Sequence, residues 1–153
     1  MSVTGGCQCG AVRFCLEGEL GEASICHCRM CQKATGGLFG PYIEAPFDAL
    51  IWTRGQPKRF QSSNKVRRGF CGDCGTPLTF EFGERHVSLA IGALDRPAAV
   101  RLKEQLGSPA QLPCFDDLAS LPVHAADEPR AAAHLASIVS YQHPDHDTED
   151  WRV

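Results

Sequence analysis

The sequence predicts a mainly β domain followed by a helix near its C-terminus. Three observations carry that prediction: segments of apolar–polar alternation, Gly or Pro every few residues through the first two-thirds, and helical patterns confined to the last third. Val12, Phe14 and Leu16 alternate with Arg13 and Cys15. Leu78, Phe80 and Phe82 alternate with Thr79 and Glu81, and Val87, Leu89 and Ile91 do the same around Ser88 and Ala90. A period of two sends one side of each strand into a core. Leu38 to Ile43, broken by Pro41, and Ile51 to Thr53, followed by Gly55 and Pro57, are weaker strand candidates.

The pattern changes after residue 96. Pro97 to Leu106 reads as a short helix, with Pro97 suited to its first turn and Gly107 to its end. A proline-punctuated loop follows over 108–123. Asp127 to Gln142 reads as the main helix, because Ala131, Leu135, Ile138, Val139 and Gln142 fall on one face and His143 precedes Pro144. Residues 145–153 read as a mobile acidic tail. The expected organisation is a β domain over 1–122, with 123–153 part of the same unit.

Composition narrows the function classes. The chain has 153 residues, 43% hydrophobic and 22% charged, with a formal net charge of −3. Wholesale disorder and a globally basic nucleic-acid binder are both disfavoured. No apolar run reaches the roughly 18 residues that span a bilayer. Met1 to Gly6 lacks the basic and apolar regions of a signal peptide, so a cytoplasmic, reducing location is expected.

Nine cysteines are far above ordinary usage, and an odd number cannot all pair within one chain. Seven fall into three clusters: Cys7 and Cys9; Cys26, Cys28 and Cys31; Cys71 and Cys74. Clustered thiols in a reducing compartment read first as metal ligands. Cys71-Gly72-Asp73-Cys74-Gly75 has the spacing of a zinc knuckle, which supplies half of a tetrahedral site. Cys7 and Cys9 can supply the other half. Two residues apart in a strand, their Cβ atoms sit roughly 6.6 Å apart on one face, and the sulfurs need only lean together. The alternative is that these thiols simply line a core.

The middle cluster has three thiols and no evident fourth ligand. Three protein ligands leave one position of a zinc ion open, as in reactive sites. His27 lies between two ligands and is expected to point away from them; the distant Cys15 and Cys114 are the other candidates to close the site.

Taken together, Gly6-Cys7-Gln8-Cys9-Gly10-Ala11-Val12, Cys26-His27-Cys28-Arg29-Met30-Cys31 and Arg68-Gly69-Phe70-Cys71-Gly72-Asp73-Cys74-Gly75-Thr76-Pro77-Leu78 resemble the glutathione-dependent formaldehyde-activating family, related to the centromere protein V group. Gly36-Gly37, Trp52 to Gly55 and Phe60 to Ser63 are also similar. The likeness covers about residues 5–96 and fades over 97–122, where Asp117 and Leu121-Pro122 match the family's closing residues. The resemblance implies folded-over antiparallel sheets, a β-tent-like fold, stapled by a Cys₄ zinc at Cys7, Cys9, Cys71 and Cys74. It also implies a second, more labile zinc at Cys26, Cys28 and Cys31, where the thiol of glutathione coordinates and a carbon–sulfur lyase activity handles S-hydroxymethylglutathione, the formaldehyde adduct.

Zinc would hold an incoming thiol as its nucleophilic thiolate, with Leu38, Phe39 and Tyr42 as the apolar surroundings. Arg54, Lys58, Arg59, Lys65, Arg67 and Arg68 place six cations within fifteen residues. Arg68 is the chosen contact for the co-substrate's carboxylates, the rest reading as a solvated basic hairpin. The expected partners are therefore a small thiol and an aldehyde, with no membrane, little case for nucleic acid, and an apolar C-terminal helix face that suits either packing on its own domain or a homodimer contact. A non-catalytic zinc module binding a protein or nucleic acid is the competing reading.

Overall fold

The computed structural model describes residues 2–123 and 129–151. Ten strands form two sheets. β1 (Val3–Gly6), β2 (Arg13–Leu16) and β5 (Leu50–Arg54) make an antiparallel three-stranded sheet in the order β1-β2-β5. The larger sheet adds β3 (Ala23–Cys26), β4 (Gly40–Pro46), β6 (Lys58–Gln61), β7 (Val66–Phe70), β8 (Pro77–Phe82), β9 (His86–Ala90) and β10 (Leu102–Leu106), in the order β10-β3-β4-β9-β8-β7-β6. All its pairings are antiparallel except β10 with β3. Helices α1 (Arg29–Thr35) and α2 (Pro129–Ala136) complete the regular structure. The chain is thus mainly β, as its alternating patterns require.

The two sheets share one core. Phe14 and Leu16 from the small sheet meet Ile43, Leu78, Val87 and Leu89 from the large one, all buried. Phe14 also packs edge-on against Trp52, with ring centroids 5.8 Å apart. These are the inward positions that the period of two selects.

Two expectations about helices need correction. Residues 97–106 are not a helix: a 3₁₀ turn at Pro97–Ala99 leads into strand β10. Leu, Lys, Glu and Gln are good helix formers, but β3 offers an open edge of unpaired backbone groups and β10 closes it in parallel. The C-terminal helix is also shorter than the 127–142 expected. It ends at Ala136, where the Ser137 hydroxyl and amide both donate to the His134 carbonyl. Asp127 and Glu128 lie outside the described residues. Leu135, Ile138 and Val139 face solvent. In the glycine- and proline-punctuated first two-thirds, α1 is short, its seven residues fitting between Cys28 and Gly36.

The tail expected to be mobile packs on the domain as far as Trp151. His143 is buried, and its amide donates to the Gln8 carbonyl at 2.7 Å. The Trp151 indole donates to the Cys9 carbonyl at 3.0 Å. Arg54 donates to the Thr148 carbonyl. Gly10, at φ +75°, lies directly beneath the His143 and Trp151 rings, so any side chain there would collide with them. The hidden signal was Arg13. It sits on a half-hydrophobic strand yet is 3% exposed, because Asp95 at 2.6 Å and Asp147 at 2.7 Å pair with it.

Asp95 sets a testable balance. Burial would raise its carboxyl, but Arg13 and the Thr4 hydroxyl outweigh that and hold it below its ordinary value of 3.8. A carboxyl depressed on folding stabilises above its unfolded value and loses that contribution as pH falls through the folded one. Asp95→Asn is expected to destabilise the protein at neutral pH by about 2–3 kcal/mol, since it leaves part of a buried cation unpaired. Urea unfolding should show the gap from wild type narrowing below pH 3.8. A gap independent of pH would remove the ion pair's role.

Candidate metal and thiol site

The first site joins two hairpin turns. Cys7 and Cys9 lie in the turn between β1 and β2, and Cys71 and Cys74 in the turn between β7 and β8. The placement differs from the strand expected for Cys7 and Cys9: the chain has already left β1 at Gly6, and the turn brings their sulfurs to 3.6 Å. The two turns repeat one design. Gly10 and Gly75, at φ +75° and +80°, donate their amides to the carbonyls of Cys7 and Cys71 at 3.1 and 3.0 Å. Amides also point at the buried sulfurs, Val12 to Cys7 Sγ at 3.2 Å and Asp73 to Cys71 Sγ at 3.4 Å. Such donors stabilise a thiolate.

All four sulfurs lie within 4.8 Å of one another, with Cys9 and Cys71 at 3.8 Å. Sulfurs bound at 2.3 Å around a tetrahedral zinc are about 3.8 Å apart. The set therefore fits zinc with its backbone where it stands. Burial pushes the Cys7 thiol up to about 12. At exposed Cys74 the Thr76 hydroxyl and amide outweigh desolvation and bring the thiol down to about 6.

The second set straddles the junction of β3 and α1. Ala23, Ile25 and His27 turn into the core, while Ser24, Cys26 and Cys28 take the opposite side. Cys28 caps α1: its backbone is extended and its sulfur accepts from the Cys31 amide at 3.4 Å. Cys31, one turn into the helix, comes back over it. The three sulfurs lie within 4.8 Å of one another, and among the described residues no fourth ligand joins them. Gly107 passes directly behind, at φ +68°, where a Cβ would stand 3.0 Å from the Cys28 amide nitrogen.

His27 is buried and points away from the sulfurs, as its position between two ligands requires. Its Nε2 pairs with Gln105 at 3.0 Å, and its ring packs edge-on against Phe39 and Phe115. Cys15 lies on β2 in the other sheet and Cys114 is exposed. All nine cysteines are free thiols.

A family model described as "Glutathione-dependent formaldehyde-activating enzyme" matches residues 2–107. The chain belongs to that family. A crystal structure of a Rhodobacter sphaeroides protein superposes with a TM-score of 0.54 at 21% identity, covering 67% of this chain and 98% of that one, a likeness of fold. No curated protein matches the sequence.

In this member of the family, Arg68 stands on β7 beneath the second sulfur set. It is 4% exposed, and each of its nitrogens has a partner: Nε donates to Ser62 Oγ at 3.0 Å, Nη1 to the Tyr42 hydroxyl at 2.7 Å and Nη2 to Cys31 Sγ at 3.3 Å. Its guanidinium also lies 4.8 Å from the centroid of the Phe80 ring. The guanidinium thus faces a sulfur rather than open space. Burial pushes Cys31 up to about 12 even against this cation. At Cys28 the Cys31 amide and neighbouring thiols outweigh burial, and the thiol falls below its ordinary value.

Cys26 and Cys31 open into a cavity of about 170 Å³, whose walls also include Tyr42, Phe80, Ser24 and Ser88. These residues share a face because cross-strand partners line up: Ser24 opposite Tyr42, and Ser88 opposite both Glu44 and Phe80. The apolar surroundings expected of Leu38, Phe39 and Tyr42 are divided. Tyr42 lines this cavity, while Leu38 and Phe39 line a separate apolar one of about 520 Å³ with Pro41. Adjacent residues of a strand face opposite ways, so Pro41 and Tyr42 cannot share a side.

Lys58, Arg59, Lys65 and Arg67 are exposed, as the reading of a solvated basic hairpin expects, although two of them have partners within the chain. Arg59 and Arg67 pair with Glu81 at 2.9 and 2.7 Å, and Arg54 holds the tail. Sequence reasoning found Tyr42 but missed Glu44 and Glu104 as wall residues. The step of two from Tyr42 to Glu44 was legible; Glu104 was concealed by the helical reading of its segment.

Proposed function

We propose that this protein binds a small thiol, glutathione or a similar one, at Cys26, Cys28 and Cys31 and handles its aldehyde adduct, S-hydroxymethylglutathione, as a carbon–sulfur lyase. The observation that carries this reading is the convergence of three sulfurs, with no fourth ligand among the described residues, beside a cavity that Cys26 and Cys31 line. Zinc held there supplies an open coordination position and favours the thiolate of whatever thiol fills it. Cys7, Cys9, Cys71 and Cys74 hold a structural zinc, and the three-sulfur zinc is the more labile.

The chain's own groups prepare the site. Arg68 offsets the negative charge gathered on Cys31 and fixes Tyr42 in the wall. Because that cation is held on the sulfurs, its contribution to the co-substrate is charge at the thiolate end rather than a carboxylate contact. Tyr42 and Phe80 supply the apolar wall against which a short thiol is held near an aldehyde carbon. Residues 1–122 and 123–151 act as one unit, supported by the His143, Asp147 and Trp151 contacts. No helix among the described residues is long and apolar enough to cross a membrane. A reducing, cytoplasmic setting suits seven cysteines grouped as metal ligands.

Calorimetric titration of reduced glutathione into the zinc-loaded protein tests the reading. Saturable binding is expected, with none for S-methylglutathione. Cys28→Ser should stay folded, keep the four-cysteine zinc and bind glutathione at least tenfold more weakly. Full affinity in folded Cys28→Ser, or no glutathione binding to the wild type, would overturn the assignment.

A further inference from the structure

We propose that Tyr42 is a catalytic residue of the three-cysteine site, its hydroxyl donating a hydrogen bond to the aldehyde oxygen as the thiol's sulfur adds to the aldehyde carbon. This inference deepens the reading of Cys26, Cys28 and Cys31 as a thiol site and rests on it.

Three features aim the phenol at the sulfurs. Gly40 pairs with Cys26 across the sheet and begins the strand that carries Tyr42 two residues on. A Cβ at Gly40 would stand 2.5 Å from Tyr42 Cε2, 3.1 Å from its Cζ and 3.1 Å from Cys31 Cβ. The hydroxyl-bearing edge of the ring therefore leans back along β4 over Gly40, into the space beside Cys31 that any larger residue would fill. Arg68 fixes the third point, because one guanidinium donates to Tyr42 Oη at 2.7 Å and to Cys31 Sγ at 3.3 Å. Tyr42, Cys26 and Cys31 line the same cavity of about 170 Å³.

The phenol's proton is left for a ligand. A phenol has one donor and acceptor capacity besides, whereas a guanidinium only donates. Arg68 thus occupies an acceptor site on Tyr42 Oη, and among the described residues nothing accepts the Tyr42 proton. A cation on the oxygen also polarises the O–H and makes it the stronger donor. Burial pushes the phenol up to about 12 against the pull of Arg68, so the group is a neutral donor at neutral pH.

The step needs no added reagent. The sulfur's electron pair forms the carbon–sulfur bond, and the carbonyl π pair moves onto oxygen, where the Tyr42 O–H meets the growing charge. The proton that completes the hydroxyl is the one the thiol released to solvent on binding. In the lyase direction the same contact stabilises the alkoxide from which the carbon–sulfur bond breaks.

Tyr42→Phe in the zinc-loaded full chain removes the hydroxyl and keeps the ring. Exchange between formaldehyde and S-hydroxymethylglutathione, followed by NMR exchange spectroscopy at saturating glutathione, should slow at least about tenfold. Calorimetric affinity for glutathione should stay at the wild-type value. A second readout needs no turnover. 2-Mercaptoethanol and 1-propanethiol match in size, but only the first carries an oxygen near its sulfur. The wild-type preference for the first should fall about threefold or more in Tyr42→Phe, the net worth of one hydrogen bond. If that variant does not fold, fluorotyrosine at position 42 reports the contact, with Tyr141→Phe removing the chain's other tyrosine. Its fluorine NMR signal should shift more with 2-mercaptoethanol than with 1-propanethiol. Unchanged exchange in folded Tyr42→Phe, or a wild type that binds glutathione without speeding exchange, would overturn the catalytic role and leave the thiol site standing. An unchanged thiol preference, or equal fluorine shifts, would overturn the contact with oxygen. Absence of glutathione binding to the wild type would overturn the thiol site and this role together.

Discussion

Cys71→Ser is expected to cost the protein its cooperative fold together with one zinc per chain. Cys71 is 1% exposed, and its sulfur lies 3.8 Å from that of Cys9, sixty-two residues earlier. The four-cysteine set ties the turn of the small sheet to a turn of the large one, so it holds the two layers in register over their shared core. Structural zinc sites of this kind contribute apparent binding energies of about 10–16 kcal/mol, whereas whole domains are stable by only about 5–15 kcal/mol. Losing one of four ligands therefore removes an amount comparable to the entire stability. Metal analysis of the purified protein and a thermal melt followed by circular dichroism measure both consequences. Cys114→Ser, at an exposed loop position, is the control and should melt like wild type. A wild-type melting curve for Cys71→Ser would show that the site is dispensable.

Arg68→Met should have the next largest effect and strike the other site. Methionine replaces the side chain's length and apolar stem but none of its donors. The Tyr42 hydroxyl, Ser62 and the Cys31 sulfur each lose their partner, and the contact with Phe80 loses its charge. Removing one member of a buried charged network costs about 3–5 kcal/mol. The zinc content should fall towards one per chain as the three-cysteine site weakens, with the four-cysteine site retained. Arg68→Lys should not rescue it, because a lysine head cannot donate in the guanidinium's planar fork to three separated partners. Denaturant midpoints and zinc content unchanged in Arg68→Met would assign Arg68 no part in the site.

Much of the site was legible because its chemistry is local. The spacing of Cys71 and Cys74 across a turn, and of Cys26, Cys28 and Cys31 across a strand-to-helix junction, places those sulfurs together whatever surrounds them. The orientation of His27 followed from the same alternation. Arg68 was singled out beside the knuckle, but its contacts with Cys31 on α1 and Tyr42 on β4 depend on β4 and β7 sharing one sheet with β9 and β8 between them. No spacing along the chain encodes that.

The segments beyond residue 96 divide in the same way. Leu102 to Leu106 is helical by composition and becomes a strand because an open sheet edge lies beside it. Asp147 is solvated by composition and is bound because Arg13 is buried beneath it. The sequence by itself determined the mainly β character, the inward faces of the strands, the three-sulfur set and each half of the four-sulfur set, since each depends on residues within a turn or a strand of one another. Only the tertiary structure decided that the two halves of the four-sulfur set meet, that β10 completes the cavity with Glu104, that Arg68 faces a sulfur, and that the tail covers the turn of Cys7 and Cys9. Those contacts join residues tens of positions apart, and they form only where packing the shared core has already brought the strands and edges together.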